Sequence, residues 1–280
     1  MYTERSVELK SDFYSRYGSA SGVLYFERVG LPFMLMRGGS RMLAFAADCG
    51  VRAYGRRCGD VLRILNSDSN VCDVHFRGSG EGAQILYKTD VSGFGREEET
   101  VDYTVDKLLV RMGLRENVSA SNKRAAALCD EYGSHGWCAY LGPGGAKSLP
   151  LPLTDHNVII VRVRKNGGKR VEEECLECFE EGEDRRIEAA AAGLKDCRPE
   201  ILFDMMNESE RAAEKLLAVS AQARYAAGIA INTDGVRAAR VCEAGILCIT
   251  DKGKTDSVAH IIREEFGRQA GYYAGIVVIK

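Results

Sequence analysis

The 280-residue sequence has no charge bias: 38 Lys and Arg stand against 40 Asp and Glu, a net charge of -2. No global field therefore favours nucleic acid or an anionic membrane surface. No apolar run approaches the ~18–20 residues that cross a bilayer. Met1 to Lys10 is polar and lacks the apolar stretch of a secretory signal. Internal repeats and low-complexity linkers are missing as well. Together these absences point to a cytoplasmic globular protein without nucleic-acid or membrane partners. A metal framework is also lacking. Cys175-Leu-Glu-Cys178 is the sole Cys-x-x-Cys, and no second pair or histidines stand at zinc spacing. No metal site is expected, and the pair is read as two thiols on a helix.

What is present is a composition 45% apolar, ordinary for a chain with a real core. Cys49, Cys72, Cys138, Cys242 and Cys248 fall in or beside strand-like runs, where a free thiol behaves as a small buried hydrophobe. The pattern predicts a helix over 4–17, then short strands near 23–26, 33–36, 42–45, 51–54, 61–65, 71–76 and 83–87. The period then lengthens. Val101, Val105, Leu108, Leu109 and Met112 define an amphipathic helix over 97–112, and a second is expected over 119–132. Gly142-Pro-Gly-Gly145 marks a turn, and Leu149–Pro152 an extended stretch. Val158–Val163 is a clear strand. The acidic run Glu172–Arg186 reads as a solvated helix face. Helices near 186–196, 199–217 and 218–228 follow. Strands at 237–241 and 245–250, a helix at 255–267 and a strand at 275–279 close an α+β arrangement.

Several segments, in order, resemble galactokinases of the GHMP kinase superfamily. "DFYSRYGSASGVLYFERVGLPFMLM" is similar to the family's opening helix, strand and start of its signature. "RGGSRMLAFAADCGVRAYGRR" matches the stretch after that signature, and "SLPLPLTDHNVIIVRV" resembles the family's V-P-L-P-L segment. Met206-Asn-Glu-Ser209 is similar to the L-M-N-E-S-H helix, and the last 46 residues resemble the closing strand–helix–strand. The resemblance implies an α+β, two-domain GHMP kinase fold. Residues 1–155 would be the N-terminal, ribosomal-protein-S5-domain-2-like part, and 156–280 the C-terminal, ferredoxin-like part. The family's active site lies in the cleft between the two.

The residues such a kinase needs are largely missing. The segment that should carry Glu-His-x-Asp for the sugar is absent, because Gly30–Met36 runs almost straight into Arg37-Gly38-Gly39. Leu31 stands where the family has arginine, and leucine cannot stabilise phosphoryl charge. A hydroxyl buried without a partner costs about 1–3 kcal/mol, so a pocket of Leu31, Phe33 and Met36 should not select galactose. The phosphate loop reads Gly93-Phe-Gly95-Arg-Glu97-Glu98-Glu99. Both glycines suit the turn that places backbone N–H groups at a helix N-terminus. The three glutamates suit the helix dipole but repel phosphate, by roughly 3 kcal/mol for a carboxylate at ~5 Å. The third motif is trimmed to a turn containing Glu243 and Gly245. Asp130 has two readings: the surviving catalytic aspartate, or an acid ending the preceding helix. His135 beside Trp137 reads as a surface loop, and the basic cluster at Arg162–Arg170 has acidic neighbours.

The resemblance therefore implies a galactokinase-like chain that has lost sugar-kinase activity and needs no cofactor. Its role would be to sense a small-molecule ligand or to engage a protein partner. The alternative is a divergent GHMP-type kinase, or a metal-dependent enzyme, using ATP and Mg²⁺ or an acidic cleft built from Glu97–Glu99 and Glu243.

Overall fold

The computed structural model describes residues 2–19, 21–35, 40–59, 61–68, 72–77, 82–90, 97–118, 125–134, 136–163, 173–214, 220–242 and 245–279. These form α1 (Tyr2–Tyr17), β1 (Val23–Leu35), β2 (Met42–Arg57), β3 (Val61–Asn66), β4 (Cys72–Arg77), β5 (Ala83–Thr89), α2 (Glu97–Arg111) and α3 (Ala125–Tyr132). There follow β6 (Trp137–Gly142), β7 (Gly145–Pro150), β8 (His156–Arg162), α4 (Glu173–Lys195), α5 (Pro199–Glu214) and α6 (Ala221–Asn232). The chain closes with β9 (Val236–Cys242), β10 (Gly245–Asp251), α7 (Thr255–Ala270) and β11 (Gly275–Ile279). The α+β class is thus as the sequence implies. Two compact units are present. One holds residues 1–29, 49–92 and 96–127, and the other 30–48, 93–95 and 128–280. The anticipated 155/156 boundary falls inside the second.

In the first unit, β5 pairs antiparallel with the C-terminal half of β2, from Val51↔Thr89 to Arg57↔Ala83, and parallel with β3. The antiparallel β3/β4 hairpin extends it. Leu9 and Phe13, one turn apart on α1, pack on Tyr54 and Leu86. Helix α2 lies against β5. Gly55 allows this approach: a Cβ there would meet Leu108 and Ile85 side-chain carbons at 3.0 Å. Expected breaks at Gly30-Leu-Pro32 and Asp48-Cys-Gly50 are not breaks, since β1 and β2 each run through them as one long strand. Gly50 is there for contact, because a Cβ would collide with the Glu27 carbonyl of β1. Pro32 is tolerated because, among the described residues, β1 pairs with β2 alone, so its missing N–H breaks no second ladder.

In the second unit, β6 and β7 form a hairpin that the sequence did not predict, closed by Pro143-Gly144 between paired Gly142 and Gly145. β6 also pairs with Met42–Phe45 of β2. The four-stranded sheet runs β11-β8-β10-β9, all antiparallel, with α6 and α7 covering one face through Ala226, Ala230, Val258, Ile262 and Phe266. The connection β8–helices–β9–β10–α7–β11 is the ferredoxin-like pattern. The acidic run proves not to be a separate surface helix. It opens α4, a single helix reaching Lys195, and Glu183 within it is fully buried. Expected helix 218–228 is α6, which begins at the Ser220 N-cap and runs on to Asn232. Residues 119–124 and 215–219, expected as helix, lie outside the described residues.

Cys138 and Cys248 are buried, and burial pushes the Cys138 thiol up to about 12. Cys178 of the Cys-x-x-Cys pair is exposed on α4, on which Cys175 also lies. Among the described residues no helix is long and apolar enough to cross a membrane. Helix α4 ends in a Schellman turn, with Arg198 N–H bonded to Gly193 O at 2.8 Å and Cys197 N–H to Leu194 O at 3.0 Å. Cys197 must therefore adopt φ +57°, the left-handed region that a Cβ disfavours. We expect Cys197→Gly to raise stability by about 0.5–1 kcal/mol, net of the entropy glycine adds to the unfolded chain, as a higher urea midpoint at unchanged slope.

Candidate functional site

The segment from Leu31 to Met34 is filled by its own side chains. Leu31, Phe33 and Met34 are all but inaccessible to solvent. The Phe33 ring stacks on Phe45, with centroids 4.5 Å apart. Phe33 and Met34 are thus core residues rather than the lining of an open pocket. Met36 lies outside the described residues.

This apolar segment is tied down by a buried charge cluster. Arg240 on β9 donates through one terminal nitrogen to the Phe33 carbonyl at 2.9 Å and through the other to Glu183 at 2.9 Å. Glu183 also accepts from Ser209 Oγ at 2.7 Å and from Arg186 Nε at 3.0 Å. Desolvating these charges costs several kcal/mol, and it is offset because both carboxylate oxygens have hydrogen-bond donors. Sequence reasoning missed Glu183, although a signal existed. Glu183, Ile187, Ala190 and Leu194 recur at i, i+4, i+7 and i+11, so Glu183 stands on the apolar stripe of α4. Ser209 and Glu210 stand likewise on the stripe of α5 that carries Leu202, Phe203 and Met206.

The Met206–Ser209 motif serves the fold in this chain. β9 is an edge strand, and its outward backbone groups need partners. Asn207 accepts from the Ala239 N–H at 3.1 Å and donates to the Arg237 carbonyl at 3.0 Å. Glu210 accepts from the Val241 N–H at 2.7 Å. Two side chains one helical turn apart thus act as a surrogate strand. Burial raises the Glu210 carboxyl above its ordinary value of 4.5, and the Val241 N–H and Arg240 partly oppose this.

The remaining candidate residues are dispersed or lie beyond description. Gly93 and Gly95 are outside the described residues, as are the side chains of Glu97 and Glu98 in the first turn of α2. Glu99 is half-buried in that turn. Further along, Thr104 donates to the Thr100 carbonyl at 2.6 Å, and buried Asp106 is paired with Arg115. Glu243 also lies outside. β9 and β10 pair antiparallel out to Cys242↔Gly245, with two residues of sequence between them. Gly245 is required there: φ is +129°, and a Cβ would collide with the Val161 carbonyl. Asp130 is exposed in the last turn of α3. Trp137 is 45% exposed at the start of β6, while His135 is outside. Arg162 is half-buried, and Arg164–Arg170 are outside. Among the described residues no three His, Cys, Asp or Glu side chains are grouped to hold a metal.

No family model and no curated protein matches the sequence. Solved structures do match in fold. A Lactococcus lactis galactokinase complexed with galactose superposes at TM-score 0.74 with 13% identity, over 98% of this chain and 97% of that one. Mevalonate kinase from methicillin-resistant Staphylococcus aureus matches at 0.62 and 12%, over 92% and 99%. Homoserine kinase from Cytophaga hutchinsonii matches at 0.59 and 12%, over 93% and 95%. These neighbours are members of the GHMP kinase superfamily, and the chain has the GHMP kinase fold.

Two measurements probe the structural core of this site. Removing one partner from a buried ion pair strands the other, so Glu183→Ala should cost about 3–5 kcal/mol in urea unfolding. For Glu210 the raised folded pKa means that the native state holds its proton longer than the unfolded chain. Stability should therefore fall as pH rises from the ordinary glutamate value through the higher folded one. Glu210→Gln keeps a carbonyl acceptor for Val241, and we expect it to flatten that fall in melting curves taken from pH 4 upward.

Proposed function

We propose that this chain is a galactokinase-like protein without sugar-kinase activity, working as a ligand sensor, regulator or scaffold on the GHMP kinase fold. The observation that carries this reading is the burial of Leu31, Phe33 and Met34, fixed by the Arg240 bond to the Phe33 carbonyl. Sugar selection needs polar groups matched to hydroxyls, and these side chains offer none. The galactokinase neighbour was solved with galactose bound. Against the family pattern, this chain replaces the arginine by Leu31 and omits the Glu-His-x-Asp segment. Three glutamates at the start of α2 replace the serines of the phosphate loop and oppose a bound polyphosphate. A two-residue β9/β10 turn leaves no glycine-rich loop at the third motif. We read Asp130, exposed at the end of α3, as a helix-end acid rather than a catalytic base.

Isothermal titration with Mg-ATP, with Mg²⁺ alone as control, tests this directly. We expect no binding heat and no thermal shift with either. Micromolar Mg-ATP affinity would overturn the proposal and direct attention to phosphoryl acceptors instead.

A further inference from the structure

Helices α6 and α7 form the outer layer on the four-stranded sheet, and their solvent side is not smooth. A groove of about 710 Å³ runs between them. Ala221, Tyr225, Gly228 and Asn232 recur at i, i+4, i+7 and i+11, so one stripe of α6 lines the groove along three turns, about 16 Å. Ile261 and Glu265, one turn apart on α7, line it from that helix. Its apolar lining includes Ile261 of α7, 38% exposed, and the half-buried Tyr225 of α6. At Gly228 an added Cβ would meet nothing within 4 Å, so an incoming backbone can approach closely.

The charges around the groove have one sign in excess. Among the described residues, Glu214, Asp234 and Glu265 line it against one cation, Arg224. Asp234 is held by Lys254 at 2.7 Å, whereas Glu214 and Glu265 have no ion pair among the described residues. The occupant must therefore offer an apolar ridge and positive charge for the rim, and a basic amphipathic helix offers both.

We propose that the α6/α7 groove is a docking site for a basic amphipathic helix from a partner protein. Helix-in-groove recognition of this kind reads apolar anchors at i, i+3, i+4 and i+7. The three-turn length of the α6 stripe fits such a set.

The test uses the full chain and two labelled synthetic helical peptides with the same leucine pattern. One carries lysine at its polar positions and the other glutamate, and binding is read by fluorescence anisotropy. We expect the lysine peptide to bind at least tenfold more tightly. Gly228→Leu, which fills the stripe while favouring the helix, and Glu265→Lys, which reverses the rim, should each weaken it tenfold or more. Both variants should melt no lower than the parent chain, so lost binding cannot be ascribed to unfolding. Equal affinity for the two peptides, or lysine-peptide binding indifferent to both substitutions, would overturn the proposal. Micromolar self-association abolished by Gly228→Leu would also overturn it, assigning the face to a second copy of the chain.

Discussion

The buried pairing of Glu183 with Arg240 is the interaction on which the second unit depends. A carboxylate with no solvent access has to be neutralised and fully hydrogen-bonded, or the fold that buries it is not stable. Meeting that requirement brings four pieces of chain together. Helix α4 supplies Glu183 and Arg186, α5 supplies Ser209, β9 supplies Arg240, and Arg240 in turn holds the backbone of β1 at Phe33. The apolar filling of the signature segment is thus part of the same structure. Moving the backbone at Phe33 would release a guanidinium from one of its acceptors.

Part of this was legible in the sequence. Helix α2 follows the spacing of Val105, Leu108 and Leu109, and the run from β9 to β11 follows short apolar stretches and turn signals. The long strands β1 and β2 were not legible, because Pro32 and Gly50 look like breaks when read locally. Each has a tertiary reason for its place: an unpaired strand side for the proline, and a close carbonyl for the glycine. The β6/β7 hairpin was hidden in the same way, since Gly142-Pro-Gly-Gly145 reads as a turn without showing which segments it joins.

For the site, the apolar character of Leu31, Phe33 and Met34 was readable from residue types alone. Glu183, Asn207 and Glu210 were not, because polar residues in charged stretches are assigned to the surface by default. Their positions on apolar helical stripes carried the missing information. The Met206–Ser209 motif shows how a family resemblance can persist for reasons of architecture. Asn207 and Ser209 hold a sheet edge and a buried carboxylate.

The side-chain seal on β9 has a consequence for how the molecule meets its own kind. A bare strand edge is a template on which a second chain can lay down another strand, the first step toward fibrous aggregates. With Ala239 and Val241 already committed to Asn207 and Glu210, that template is withdrawn on one side of the sheet. Growth of the sheet by recruitment is left to the β11 side, where Gly275 and the half-open strand beyond it form the other edge.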